Sequence, residues 1–197
     1  MEIDINKIHQ GTLAEDLFSF AELENLINLK PFVNINRFKP TSFDNPKITK
    51  EYKWPIPIWC SDRNIWPVKE VKTFINESAC YLSDCSRVNK KINLFCKKLE
   101  ETFKKPVDCH IYFSLKKNTK SYDLHNDNYA TLILAQEGEI KATVGDQIFY
   151  LKKGEYVCIP PKIYHKVEHL SEKRLSLSFV LFEGEGNFEE RDWINFN

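Results

Sequence analysis

The stretch SYDLHNDNYATLILAQEGEIKATVGD, residues 121–146, sets His125 and Asp127 two positions apart at the entrance to a run rich in aliphatic and β-branched residues. In an extended chain, residues two apart point to the same side, so both side chains can face one interior. A third donor follows in LKKGEYVCIPPKIYHKV, residues 151–167. There a turn at Gly154, a short strand and a corner at Pro160 lead to His165, which a hairpin return brings back beside the first pair. Two histidines and one carboxylate on one face suit non-haem Fe(II), leaving positions open for substrate and oxygen. An isolated H-x-D pair has a plainer use as well, with the aspartate capping turn amides.

Working outward, the period of the pattern changes at Pro106. In VDCHIYFSL, residues 107–115, Val107, Cys109, Ile111, Phe113 and Leu115 alternate with His110, Tyr112 and Ser114, which predicts a strand with one face in the core. ATLILAQEG, EIKATVGD, QIFYLKKGE, YVCIPP and RLSLSFVLF continue the rhythm, with turn signals at Gly145-Asp146 and Lys153-Gly154. Short antiparallel strands at this spacing predict a small barrel or double-sheet jelly roll, mainly β with N-terminal helices.

Upstream, Thr12 and Glu15 form a capping-box pattern ahead of a helix expected before Pro31. Prolines 31, 40, 46, 55, 57 and 67 among aromatics mark an extended arm, expected to pack on the core and, from Phe32 to Trp66, to lid the site. A helix is expected over Val68–Leu82. A second, amphipathic one carries Val88, Ile92, Phe95, Leu99 and Phe103. The division expected is helices and arm over 1–105, barrel core over 106–183 and an acidic tail over 184–197.

Across 197 residues, 28 Lys plus Arg balance 28 Asp plus Glu, so no general attraction to nucleic acid or membrane is expected. The N-terminus has neither a basic start nor an apolar core, and no apolar run is long enough to span a bilayer, which predicts a cytoplasmic protein. The six cysteines lack any C-x-x-C pairing and read as buried thiols of a reducing compartment.

Gly154, Pro160 and His165 resemble the second motif of the cupin superfamily, with Lys162 where a glycine is usual. The first motif of that superfamily ordinarily carries a glutamate, whereas this chain has His125 and Asp127. That departure resembles the Jumonji-C-like branch of Fe(II)- and 2-oxoglutarate-dependent oxygenases. The order of helix, strand with Tyr112, H-x-D and Gly138 eleven residues after Asp127 is similar to the cupin core of ribosomal oxygenases over about residues 88–182.

The resemblance implies that His125, Asp127 and His165 hold Fe(II), with 2-oxoglutarate as co-substrate and O2 as oxidant. The implied reaction hydroxylates a C–H bond as 2-oxoglutarate is decarboxylated to succinate. It implicates Tyr112 in co-substrate binding. The lysine usual in that family falls at Ile140, and Lys141, one place later, belongs to the opposite face of a regular strand. Arg174-Leu-Ser176, nine residues after His165, resembles the Arg-x-Ser of another group of these oxygenases, so Arg174 with Ser176 is expected to take the distal carboxylate, with Lys141 as the alternative co-substrate residue if a bulge shifts the register.

The C-terminal dimerisation and winged-helix parts of ribosomal oxygenases are not matched. The substrate is therefore read coarsely as an amino-acid side chain, free or in a peptide, or another small molecule, with homodimerisation left open. Two alternatives stand beside this reading: a sugar isomerase or epimerase using His165 or Tyr112 as acid or base, and a metal-free small-molecule-binding cupin.

Overall fold

The computed structural model describes residues 3–28, 38–40, 79–82, 85–87, 89–118 and 121–185. Apart from Phe38–Pro40, the aromatic arm from Phe32 to Trp66 lies outside them, as do most of the helix expected over Val68–Leu82, Val88, Cys60 and nearly all of the acidic tail.

Among the described residues the chain is mainly antiparallel β with two α-helices. The elements are β1 (His9–Thr12), α1 (Phe20–Asn28), β2 (Phe38–Pro40), β3 (Cys80–Leu82), a 3-10 turn (Cys85–Arg87), α2 (Lys90–Phe103), β4 (Val107–Ser114), β5 (Ala130–Glu137), β6 (Ile140–Val144), β7 (Gln147–Leu151), β8 (Glu155–Ile159), β9 (His165–His169) and β10 (Arg174–Leu181). They form a seven-stranded sheet in the order β1-β8-β5-β10-β4-β3-β2 and a three-stranded sheet in the order β7-β6-β9. This is the expected double-sheet jelly roll.

Each buried strand serves two interiors, and the period of two sorts its side chains between them. Leu132 and Leu134 of β5, Tyr156 and Cys158 of β8, and Leu175, Leu177, Phe179 and Leu181 of β10 join a large apolar cluster with Leu23 of α1 and Ile92, Phe95, Cys96 and Leu99 of α2. Ile133, Ala135, Val157 and Ile159 point the other way and meet Ile140, Ala142 and Val144 of β6 and Val167 of β9 in a smaller cluster between the sheets. The helices thus cover the back of the large sheet, and the barrel interior lies on its front. Five cysteines (80, 85, 96, 109 and 158) are buried as thiols, as composition suggested.

Helix α2 begins where Asn89 Oδ1 accepts the Ile92 N–H at 3.1 Å and ends at Lys104 in the left-handed region, φ 55°. Helix α1 corrects the expected capping box. Thr12 belongs to β1, and the box is formed by Ser19 and Glu22: the Ser19 N–H donates to Glu22 Oε2 at 2.9 Å and the Glu22 N–H to Ser19 Oγ at 3.3 Å. Residues 13–19 are held off the helical path because Gln136 Oε1 accepts the N–H groups of Leu17 (2.7 Å) and Phe18 (3.1 Å). Gln136 is the extra residue of a bulge where β5 shifts register against β10.

The described end of the helix expected over Val68–Leu82 is also corrected. Cys80–Leu82 is a strand, because it pairs with β4 through Cys80↔Phe113, Tyr81↔Tyr112 and Leu82↔Ile111.

Gly138, between β5 and β6, has φ +73°, and a Cβ there would lie 2.0 Å from the Lys173 carbonyl oxygen. Since that neighbour is backbone, Gly138→Ala is expected to cost on the order of 3 kcal/mol or more in denaturant unfolding, combining a left-handed backbone with a steric overlap. Unchanged stability would refute the close approach.

Candidate metal centre and anion pocket

His165 opens β9, whose inward residues His165, Val167 and His169 alternate with the half-buried Lys166 and Glu168. His125 does not lie in a strand. It sits in the extended segment 121–129 ahead of β5, which runs antiparallel to β9 and is tied to it at three points. Ser121 N–H donates to Val167 O at 3.1 Å, His125 and His165 exchange both backbone hydrogen bonds at 3.1 and 2.7 Å, and Lys162 N–H donates to Asp127 O at 2.6 Å. The last bond requires a tight corner after Pro160-Pro161, and Lys162 makes it at φ +64°, a left-handed conformation that favours glycine.

The result is a cluster in which ligand atoms of His125, Asp127 and His165 all lie within 4.8 Å of one another. His165 Nε2 is 3.6 Å from Asp127 Oδ2, and the two imidazole centroids are 4.4 Å apart. Each histidine contacts the carbonyl two residues before it through Nδ1: His125 with Asp123 O at 2.7 Å, His165 with Ile163 O at 3.0 Å. A carbonyl can only accept, so Nδ1 carries the proton in both and Nε2 keeps its lone pair for a metal.

Burial, with a further push from His125, holds the His165 pKa below its usual value and favours the neutral ligating form. Metal bonds of about 2.1 Å at right angles place donors roughly 3 Å apart. The three side chains therefore need only small rotations to fit a divalent ion, and their donor set is that of a facial 2-His-1-carboxylate site.

The cluster opens into a cavity of about 500 Å³, including its mouth, lined also by Tyr112, Tyr122, Tyr129, Arg174 and Ser176. Burial raises the pKa values of all three tyrosines, that of Tyr129 to about 12 with help from the adjacent Asp127, whose carboxylate its hydroxyl meets. The wall is thus made of neutral phenols that can donate hydrogen bonds.

On β10 the inward face carries Arg174, Ser176, Ser178 and Val180. Arg174 is 1% exposed and makes no ion pair among the described residues. Burial pushes its pKa down to about 9, which still leaves it charged at neutral pH. Arg174 Nε and the hydroxyls of Ser176 and Thr131 are buried without a hydrogen-bond partner among the described residues. A cavity that gathers a buried guanidinium and such hydroxyls offers donors suited to an anion.

Lys141 lies elsewhere. Ile140, Ala142 and Val144 are the buried residues of β6, while Lys141 is on the outer face, 3.3 Å from Glu168 Oε2 in an ion pair. Sequence reasoning did not single out Ser121, Tyr129 or His169. Of these, only His169 carried a signal, its even spacing from His165.

Residues 111–182 match the family model described as the cupin domain. No curated protein matches. Among solved structures, the crystal structure of the Escherichia coli ribosomal oxygenase YcfD is similar at a TM-score of 0.61 and 16% identity, over 89% of this chain and 48% of that one. The same E. coli protein in complex with cobalt and succinic acid gives a TM-score of 0.60 at 16% identity, again over 89% and 48%. The chain therefore spans about half the length of the ribosomal oxygenase it resembles. Residues 111–182 thus match the cupin domain, and the barrel has the cupin jelly-roll fold, which it shares with that oxygenase.

Proposed function

We propose that this protein is an Fe(II)- and 2-oxoglutarate-dependent oxygenase that hydroxylates a C–H bond of an amino-acid side chain, free or in a peptide. The observation that carries the reading is one cavity holding both a 2-His-1-carboxylate cluster and a buried guanidinium that has no ion pair among the described residues. A divalent ion together with Arg174, less the Asp127 carboxylate, leaves a double positive charge, the complement of a dicarboxylate. The resemblance to a structure that contains cobalt and succinic acid agrees with this, because succinate is what decarboxylated 2-oxoglutarate becomes.

His125, Asp127 and His165 would hold the iron, which supplies the oxygen chemistry when bound. The Nδ1 contacts fix both imidazoles before the metal arrives, so little reorganisation is needed. Arg174 and Ser176 take the distal carboxylate of the co-substrate, and Tyr112 lies along the same wall. Lys141 stays in its surface ion pair and does not contribute.

The test is anaerobic reconstitution with Fe(II) and 2-oxoglutarate, followed by oxygen and measurement of succinate against a panel of amino acids and peptides. Succinate formed in step with a hydroxylated product is expected. Metal-dependent sugar isomerisation without succinate would replace this reading with the isomerase one.

A further inference from the structure

The guanidinium of Arg174 is held before any ligand arrives. Its Nη1 contacts His169 Nε2 and lies 3.4 Å from Ser121 Oγ, and its Cζ lies 5.7 Å from the centre of the Tyr112 ring. Three elements supply this hold: β9 for His169, the segment before His125 for Ser121, and β4 for Tyr112. Because a guanidinium has no lone pair to offer, the proton in the histidine contact belongs to Arg174, and His169 must present an unprotonated Nε2. His169 is 1% exposed, and burial beside a cation depresses its pKa to about 2, so the acceptor form is the one present. Nη1 is thus committed sideways, whereas Nε has no hydrogen-bond partner among the described residues.

We propose that His169, assisted by Ser121, is a positioning residue for the co-substrate: it fixes the Arg174 guanidinium through Nη1 so that the uncommitted edge faces the distal carboxylate of the ligand. This rests on the 2-oxoglutarate reading above. An arginine free to change rotamer would have to be ordered anew at each binding event. Here the ordering is done by the fold. The same contact explains why a histidine is tolerated against a cation in a buried position: it serves as a neutral acceptor where a carboxylate would neutralise Arg174 and compete with the ligand.

The experiment uses the full chain loaded with Co(II) and titrated calorimetrically with two probes, 2-oxoglutarate and pyruvate. Pyruvate has the 2-oxo acid end but no distal carboxylate. His169→Ala is expected to weaken 2-oxoglutarate roughly ten- to thirtyfold, the scale of one long side chain's rotamer freedom, and to leave pyruvate unchanged. His169→Gln, which keeps an acceptor, should restore most of the affinity. Should the alanine variant fail to fold, Ser121→Ala reads the same hold, with a several-fold loss for 2-oxoglutarate alone. Wild-type 2-oxoglutarate affinity in both His169→Ala and Ser121→Ala, equal losses for both probes, or no rescue by glutamine would overturn the positioning role. Arg174→Ala is the reference. If it too binds 2-oxoglutarate like the wild type, the co-substrate reading itself fails. If it loses affinity while the His169 variants do not, only the positioning role does.

Discussion

Asp127→Ala is expected to lose metal binding and turnover together while leaving the fold intact. The carboxylate is the only anionic donor of the cluster, 3.6 Å from His165 Nε2, and without it two neutral imidazoles must hold a divalent ion alone. Altering an outer partner of a metal ligand typically costs ten- to a hundredfold in affinity, so removing a direct ligand should cost at least the upper end, about a hundredfold or more. Folding should be spared because the local structure rests on backbone. The Lys162 N–H donates to Asp127 O, and both histidines stay anchored through Nδ1. The measurement is cobalt or iron stoichiometry after dialysis, paired with thermal unfolding of the apo form. Wild-type metal occupancy in Asp127→Ala would remove the triad from consideration as the metal centre.

Arg174→Met is expected to produce a contrasting result, a large loss of 2-oxoglutarate affinity in a protein whose apo form is at least as stable as the wild type. In the apo protein Arg174 is a buried cation without a counter-ion among the described residues, and a hydrophobic residue of similar volume in such a place is often neutral or stabilising. With the dicarboxylate bound, the same residue completes a buried ion pair, and removing one partner of such a pair costs about 3–5 kcal/mol. That corresponds to a rise of roughly two to three orders of magnitude in the half-saturating concentration. Metal binding should stay near normal, and Lys141→Ala should change little, since Lys141 pairs with Glu168 on the outer face. A lysine variant that loses 2-oxoglutarate while the arginine variant keeps it would reverse the assignment.

Much of this was legible in the residue pattern because strand alternation is a local property. Ile140, Ala142 and Val144 are buried and Lys141 is not, as the period of two requires, and the same rule sends Arg174 and Ser176 inward while Leu175 and Leu177 go to the back of the sheet. The helical spacing of Ile92, Phe95 and Leu99 likewise told which side of α2 is buried. Where local rules failed, a distant partner had overridden them. Thr12 and Glu15 have the spacing of a capping box, yet Gln136, more than a hundred residues away, takes the Leu17 and Phe18 amides and delays the helix to Ser19.

By itself, then, the sequence determined the jelly-roll class and the faces of the long strands, and it pointed to the three residues that the structure gathers into one cluster. Each of these follows from side-chain period and short-range spacing. Only the tertiary structure decided that His125 meets His165 through an isolated bridge, that Lys162 turns the corner in a left-handed conformation, and that His169 and Ser121 grip Arg174. These contacts depend on the register between segments up to 53 residues apart, and register is set by how the whole barrel closes.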